Sequence, residues 1–272
     1  MSKEQSNRDA NLISAYASEG GTQSVFTGKV GDYIAARPAY PVALFEQLEN
    51  LGVLAAGSCV ADVGAGTGLL TLGFLERGYS VVAVEPNAAM RVAADRNLAR
   101  FASYRSVEGS AEKMPLPPES IDLIAAAQAF HWFNLEEARR EFLRVLKPTG
   151  SVALIWNDRL LTDPLQIELN ALFAEFGGAK REALVASEDR ACLPIFFSGA
   201  PIRELTVPNE QRIDQAGLLS LVISRSYMPA RDSAAGKEVE QRVVKLFDAF
   251  AENGGVTVRY RTVAFVGRPS TN

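Results

Sequence analysis

The sequence predicts an α/β fold, in which a mostly parallel sheet carries helices on both faces. Short apolar runs alternate with amphipathic runs at close intervals between Pro41 and Trp156. Glycine, proline or Asn punctuates almost every run. The last third adds one long stretch of strict two-residue alternation, as a strand with one buried face requires.

The elements follow in order. Met1 to about Ser24 is polar and reads as a tail with a weak helix near 11–17. Pro41 suits a first helical turn, and Leu44, Phe45, Leu48 and Leu51 recur at helical spacing until Asn50–Gly52 ends the run. Cys59–Val63 is a buried strand running into glycines, followed by a helix over Leu69–Arg77 that stops at Gly78. Val81–Val84 is a second strand, ending at Glu85-Pro86-Asn87, and Ala88–Phe101 a helix. Arg105–Val107 and Ile121–Ala126 are strands three and four.

Asn134-Leu135-Glu136-Glu137 has the capping-box pattern with Asn in the first place. The helix it opens carries Leu135, Ala138, Phe142 and Leu146 on one face and stops at Pro148–Gly150, before a strand at Ser151–Trp156. A helix from Asp163-Pro164 runs to Phe176, where Gly177-Gly178 ends it. Ile202–Val207 is a strand, Glu238–Ala251 a helix, and Val256 to Val266 the alternating strand. This tail is expected to give an antiparallel edge hairpin with helices over the mouth of a site. The chain thus divides into 1–40 (tail and covering segment), 41–160 (core) and 161–272 (helical cap and edge strands of the same domain).

Composition bounds the function. The 272 residues are 47% hydrophobic and 22% charged, a profile for one globular domain with a cap. The net charge of −4 and the lack of any Lys/Arg run argue against nucleic acid or an anionic membrane surface as partner. No run reaches the ~20 apolar residues of a membrane helix, and the first residues lack a signal peptide's apolar core. Two cysteines, Cys59 in an apolar run and Cys192 in an expected loop, fit a reducing cytoplasm without a disulfide. One histidine and two cysteines offer no zinc site, so no metal is expected. The expected partner is a small molecule, and the chain a monomer or homodimer.

The chemistry centres on Asp62-Val63-Gly64-Ala65-Gly66-Thr67-Gly68, between a strand and a helix. Glycines let backbone pass close beneath a ligand, and the helix N-terminus behind them favours an anionic group. Glu85 ends the next strand, where a carboxylate accepts hydrogen bonds from both hydroxyls of a ribose. Together they mark a nucleoside-cofactor site. The dinucleotide pattern G-x-G-x-x-G is not met, because Leu69 holds its last glycine position.

The loop instead resembles the first motif of class I S-adenosylmethionine-dependent methyltransferases, D/E-x-G-x-G-x-G. Gly109-Ser110-Ala111-Glu112-Lys113-Met114-Pro115-Leu116-Pro117 is similar to that family's adenine-docking loop, with Ser110 at a common Asp position. Ser120-Ile121-Asp122-Leu123-Ile124 and Arg144-Val145-Leu146-Lys147-Pro148-Thr149-Gly150 resemble two further family motifs. The segments Tyr33–Pro41, Gln128–Phe133 and Ser224–Pro229 resemble small-molecule methyltransferases related to the trans-aconitate and ubiquinone-pathway enzymes. The resemblance implies a Rossmann-like fold with seven strands and a helical cap, S-adenosylmethionine as cofactor, and methyl transfer to O, N or C of a small acceptor. A catalytically inactive cofactor-binding module and an NAD(P)-dependent oxidoreductase are the rival readings.

It also implies a site. Arg37, Asp62, Gly64, Ala65, Gly66, Gly68, Glu85 and Pro86 are expected at the cofactor, with Ser110, Ala111, Glu112 and Gln128 around its adenosine. His131, the sole histidine, is a candidate base or orienter for the acceptor, or packs between Phe130 and Trp132. Tyr33 is the second catalytic candidate. Arg37 faces a carboxylate, the cofactor's or the acceptor's, or forms a surface ion pair. Trp132, Asn157, Arg225 and Tyr227 are candidate acceptor contacts; capping for Asn157 and an exposed helix end for Arg225 and Tyr227 are the plain alternatives.

Overall fold

The computed structural model describes residues 36–187 and 190–271, together with Ser14 and Gly31. Tyr33 and, apart from the helical Ser14, the expected tail and helix at 11–17 lie outside the described residues.

Seven strands form one sheet: β1 (Cys59–Val63), β2 (Ser80–Val84), β3 (Tyr104–Val107), β4 (Ile121–Ala127), β5 (Leu146–Arg159), β6 (Arg203–Ile213) and β7 (Val256–Gly267). Their order is β3-β2-β1-β4-β5-β7-β6. The first five run parallel; β7 is antiparallel to both β5 and β6. The strand order reverses between β1 and β4, and open α/β sheets bind ligands beyond the carboxyl ends at such a point.

Successive residues of each central strand feed different cores. Val60, Val81, Leu123, Ala153 and Ile155 pack with helices α1 (Val42–Asn50) and α2 (Leu69–Leu75) and with Leu98 of α3 (Ala88–Leu98). Ala61, Val82, Ile124, Val152 and Leu154 pack on the other face with α4 (Leu135–Val145). Burial on both faces explains why these strands read as continuous apolar runs. A third core joins α5 (Pro164–Ser187), α7 (Gln215–Ile223) and α8 (Ala234–Phe250) to the start of β7, and forms the cap; the one-turn α6 (Leu193–Phe196) belongs to the second core. Among the described residues no helix is long and apolar enough to cross a membrane.

Several expectations are corrected. Leu146 is not on the α4 face: it starts β5 opposite Ile121, and the register jumps so that Leu123 faces Ser151. Pro148–Gly150 therefore forms a bulge within a strand, where a proline without an N–H is tolerated. Gly177-Gly178 kinks α5 rather than ending it: Gly178 leaves helical geometry at φ 50, ψ −149, and the helix resumes. The expected edge hairpin is not one. Helices α7 and α8 separate β6 from β7, and β7 lies inside the sheet with β6 at its edge. Strand β6 continues through Pro208, which an edge strand accommodates. Helix α7, six of whose residues are buried, has no polar face and so no amphipathic signal. Cys192 is buried, not in a loop.

Candidate functional site

The glycine loop turns between β1 and α2 by alternating through positive φ: 71° at Gly64, 57° at Gly66 and 84° at Gly68. The first two make different contacts. A Cβ on Gly64 would lie 2.6 Å from the Ala129 Cβ, so the loop is pressed against the chain leaving β4. Gly66 donates its N–H to Glu85 Oε2 at 2.9 Å. Gly68 serves packing instead: it caps α2, and a Cβ there would meet Leu98 Cδ1 at 2.6 Å.

Glu85, 8% exposed at the end of β2, is held from two sides. Its Oε1 accepts from Asn87 N–H at 2.8 Å while Oε2 takes Gly66 N–H. A carboxylate has about four lone-pair sites, so each oxygen keeps one for a further donor. Burial pushes the Glu85 carboxyl up, whereas the Asn87 and Gly66 N–H groups and Arg91 favour its charged form. Arg91 also donates to the Glu85 and Pro86 carbonyls at 2.7 and 2.9 Å, fixing the strand end.

Asp62 lies beneath the loop, 1% exposed, and accepts from the Thr71 hydroxyl at 2.6 Å. Burial pushes its carboxyl from an ordinary 3.8 up to about 7; Thr71 opposes this and the charge of Glu85 adds to it. Its folded value lies above its unfolded one, so the folded state holds the proton more tightly and stability declines as pH rises through that interval. An Asp62→Asn substitution keeps an acceptor for Thr71 and removes the titration. The stability difference between variant and parent should therefore shift in favour of the variant by about 3 kcal/mol at most between about pH 5 and pH 8. Urea unfolding at both pH values measures it; a constant difference would show that Asp62 stays charged throughout.

Two cavities open from this loop. The smaller, about 170 Å³, is bounded by Gly66, Glu85, Pro86, Met90, Ser110 and Ala111, with Glu112 and Phe133 nearby. The larger, about 570 Å³, takes in Arg37, Asp62, Ala65, His131, Asn157, Arg225 and Tyr227. Gly64, Ala127, Gln128 and Trp132 line both. Gln128 holds that shared wall with positive φ (54°), its N–H bonded to the Ile155 carbonyl and its carboxamide donating to the Asn157 carbonyl.

The expected residues are thus brought together, with distinctions. Gly68 lines neither cavity. Glu112 lines the small one, but its Oε1 accepts from Asn134 N–H at 2.9 Å, while Asn134 Oδ1 caps Glu137 N–H at 3.3 Å. Glu112 thereby supplies the half of the capping box expected from Glu137. Half-buried His131 lies against Trp132, ring centroids 4.7 Å apart, and faces the larger cavity. Asn157 is not a cap: its Oδ1 accepts from Thr262 and from Asn209, which also grips the Ala39 carbonyl. With that oxygen occupied on the sheet side, its amide N–H₂ remains the cavity donor. Arg37 donates to the Ser224 carbonyl at 3.4 Å, joining the segment before α1 to the end of α7. Tyr227 is buried rather than at an exposed helix end.

Other lining residues were missed. Thr67, Arg190 and Tyr260 line the larger cavity, and Met90 and Asn87 the smaller. Only Thr67, inside the glycine motif, carried a local signal.

The pieces fit S-adenosylmethionine. A doubly anchored carboxylate with spare lone pairs suits the ribose diol, and the groove between Pro86, Met90 and Phe133 suits a flat base. Comparison with known proteins agrees. A family described as a methyltransferase domain matches residues 61–154. An uncharacterized methyltransferase of Mycobacterium tuberculosis is 33% identical over 241 residues, 88% of this chain and 93% of that protein. An uncharacterized methyltransferase of Schizosaccharomyces pombe is 39% identical over 135 residues, 49% and 53% of the two chains. Among solved structures, a protein of Anaeromyxobacter dehalogenans named provisionally as a type II methyltransferase superposes with a TM-score of 0.56 at 26% identity, over 85% of this chain and 95% of that one. The YcgJ protein of Bacillus subtilis, 20% identical over 84% of this chain and all of that one, shares the fold at a TM-score of 0.53. With the sheet order, the glycine loop and its anchored acid, these similarities establish that the chain belongs to the class I S-adenosylmethionine-dependent methyltransferases.

Proposed function

We propose that the protein transfers a methyl group from S-adenosylmethionine to an O, N or C atom of a small-molecule acceptor. The observation that carries this reading is the wall shared by the two cavities, Gly64, Ala127, Gln128 and Trp132. An adenosyl group held in the smaller cavity would leave, across that wall, a second space large enough for another molecule. When bound, the cofactor supplies a methyl activated by a positively charged sulfur.

What remains for the protein is to bind, orient and dry the acceptor. Glu85 would hold the ribose hydroxyls, and the Gly64–Gly66 backbone would pass beneath the cofactor. Trp132 and Trp156, which line the larger cavity, would exclude water from the acceptor side. His131, between the shared wall and the larger cavity, would take a proton from an acceptor that must lose one. On this reading His131→Ala should lower turnover about a hundredfold, within the usual range for a general base, with S-adenosylhomocysteine affinity nearly unchanged. Equal losses in both would leave His131 a packing residue against Trp132.

Calorimetry with S-adenosylmethionine and with NAD(P)H, then an assay for S-adenosylhomocysteine release over a panel of metabolites, tests the whole. Binding of the nicotinamide alone would overturn it. Cofactor binding with no turnover over the panel would favour an inactive binding module.

A further inference from the structure

Three neighbouring strands bring Asn157 of β5, Thr262 of β7 and Asn209 of β6 to one face of the sheet. Asn157 and Thr262 are directly opposed, and Asn209 lies two residues along from Val207, which faces Thr262 from the other side. Asn157, 8% exposed, is the member that lines the larger cavity. It also stands next to the shared wall, because its backbone carbonyl accepts from the Gln128 carboxamide.

The two ends of a carboxamide are alike in shape and opposite in chemistry, so their partners decide which end faces where. The decision starts outside the cavity. The Ala39 carbonyl only accepts, so the group that Asn209 turns towards it, 2.9 Å away, is its N–H₂. The same N–H₂ also reaches Asn157, 3.2 Å away, and requires an acceptor there, which is Asn157 Oδ1. Thr262 does not choose. Its hydroxyl donates to Oδ1, but a hydroxyl would equally accept from an N–H₂ in that place. The Asn157 N–H₂ is thereby turned to the cavity, and no described residue takes it. Buried donors are nearly always matched, so this one points to a ligand atom.

The same face of β6 holds another wall of the cavity. Gln211, two residues beyond Asn209, donates to the Ala36 carbonyl at 3.1 Å. The two side chains grip the segment 36–39, of which Arg37 and Pro38 line the cavity. Asn209 thus docks that segment and sets the polarity of the wall facing it.

We propose that Asn209 is a positioning residue for the methyl acceptor. Through Asn157 it makes the cavity wall beside Gln128 a hydrogen-bond donor, so that the acceptor meets it with a lone pair on oxygen or nitrogen. The proposal rests on the methyl-transfer reading; the orientation of Asn157 does not.

Asn209→Asp reverses the polarity and keeps the side chain's shape. A carboxylate only accepts, so Asn157 must turn its N–H₂ to residue 209 and its carbonyl to the cavity. The Asn157 carboxamide is followed by NMR in isotope-labelled protein saturated with S-adenosylhomocysteine, its signals identified by their loss in Asn157→Asp. The probe is N,N-dimethylacetamide, which accepts hydrogen bonds and donates none. In the parent the amide protons should shift downfield and saturate with it. In Asn209→Asp that response should fall about fivefold or more, and exchange of the same protons with water should slow about tenfold, because they then bond a carboxylate. Asn209→Ala frees the carboxamide to take either orientation and should give a response between the two. Both variants should bind S-adenosylhomocysteine as the parent does, which also shows that they fold; if Asn209→Asp does not, Asn209→Ala decides. In the assay for S-adenosylhomocysteine release, Asn209→Asp should lower kcat/KM about tenfold or more for every metabolite that the parent methylates.

Parent amide protons that ignore the probe, an equal response in Asn209→Asp, or undiminished turnover by that variant would overturn the proposal. So would S-adenosylhomocysteine affinity falling in step with the probe response in both variants, which would assign Asn157 to the cofactor. Cofactor-bound parent that methylates nothing on the panel speaks against the methyl-transfer reading instead. The probe titration then still decides whether Asn209 sets Asn157.

Discussion

Glu85→Ala is expected to weaken S-adenosylhomocysteine binding by about a hundredfold or more, because two hydrogen bonds to a charged acceptor are worth about 1.5–3 kcal/mol each. The structure adds a second cost. Alanine removes the acceptor of both Gly66 N–H and Asn87 N–H, leaving two donors of the cofactor cradle to find water or shift. Thermal stability should therefore fall with affinity. Glu85→Gln separates the two effects: its single carbonyl can satisfy one of the two N–H groups, and its amide N–H₂ opposes the other. It should recover part of the stability and little of the binding. Calorimetry on folded variants decides, and an affinity within twofold of the parent for Glu85→Ala would remove Glu85 from the site.

The reason that Glu85 was legible in the sequence is that its setting is local. Strand, glycine loop, helix, strand and acid follow one another within a single β1-α2-β2 unit, and only one arrangement of that unit brings Glu85 to Gly66. Tyr260 and Arg190 depend instead on long-range pairing. Tyr260 sits among Val256 and Val258 as one more inward residue of an alternating strand. It reaches the cavity only because β7 runs antiparallel to β5, which sets its early residues against Arg159 at the ligand end of the sheet. Arg190 arrives from the turn after the kinked α5 and settles over the Trp156 ring at 4.7 Å. No spacing within either segment announces this. The same distinction explains the misread elements: Leu146 fits a helical face by spacing, yet pairing with Ile121 draws it into β5.

The second large effect concerns the point where loop and sheet touch. Gly64→Ala should destabilise the fold by about 2–4 kcal/mol, combining about 1 kcal/mol or more for an alanine at φ 71° with about 1–3 kcal/mol for overpacking against Ala129. It should also cost cofactor affinity about tenfold or more, since relieving a 2.6 Å contact moves the loop that aims the Gly66 N–H at Glu85. These two parts are separable. Ala129→Gly removes the atom that Gly64→Ala collides with and leaves the backbone strain untouched. In urea unfolding of the four proteins of the cycle, the double variant should be more stable than the sum of the single effects by about 1–3 kcal/mol, the overpacking share. Cofactor affinity should recover in the same step. Additive effects would mean that the whole requirement for glycine at 64 is conformational, and that the loop does not depend on its contact with Ala129 to meet the cofactor.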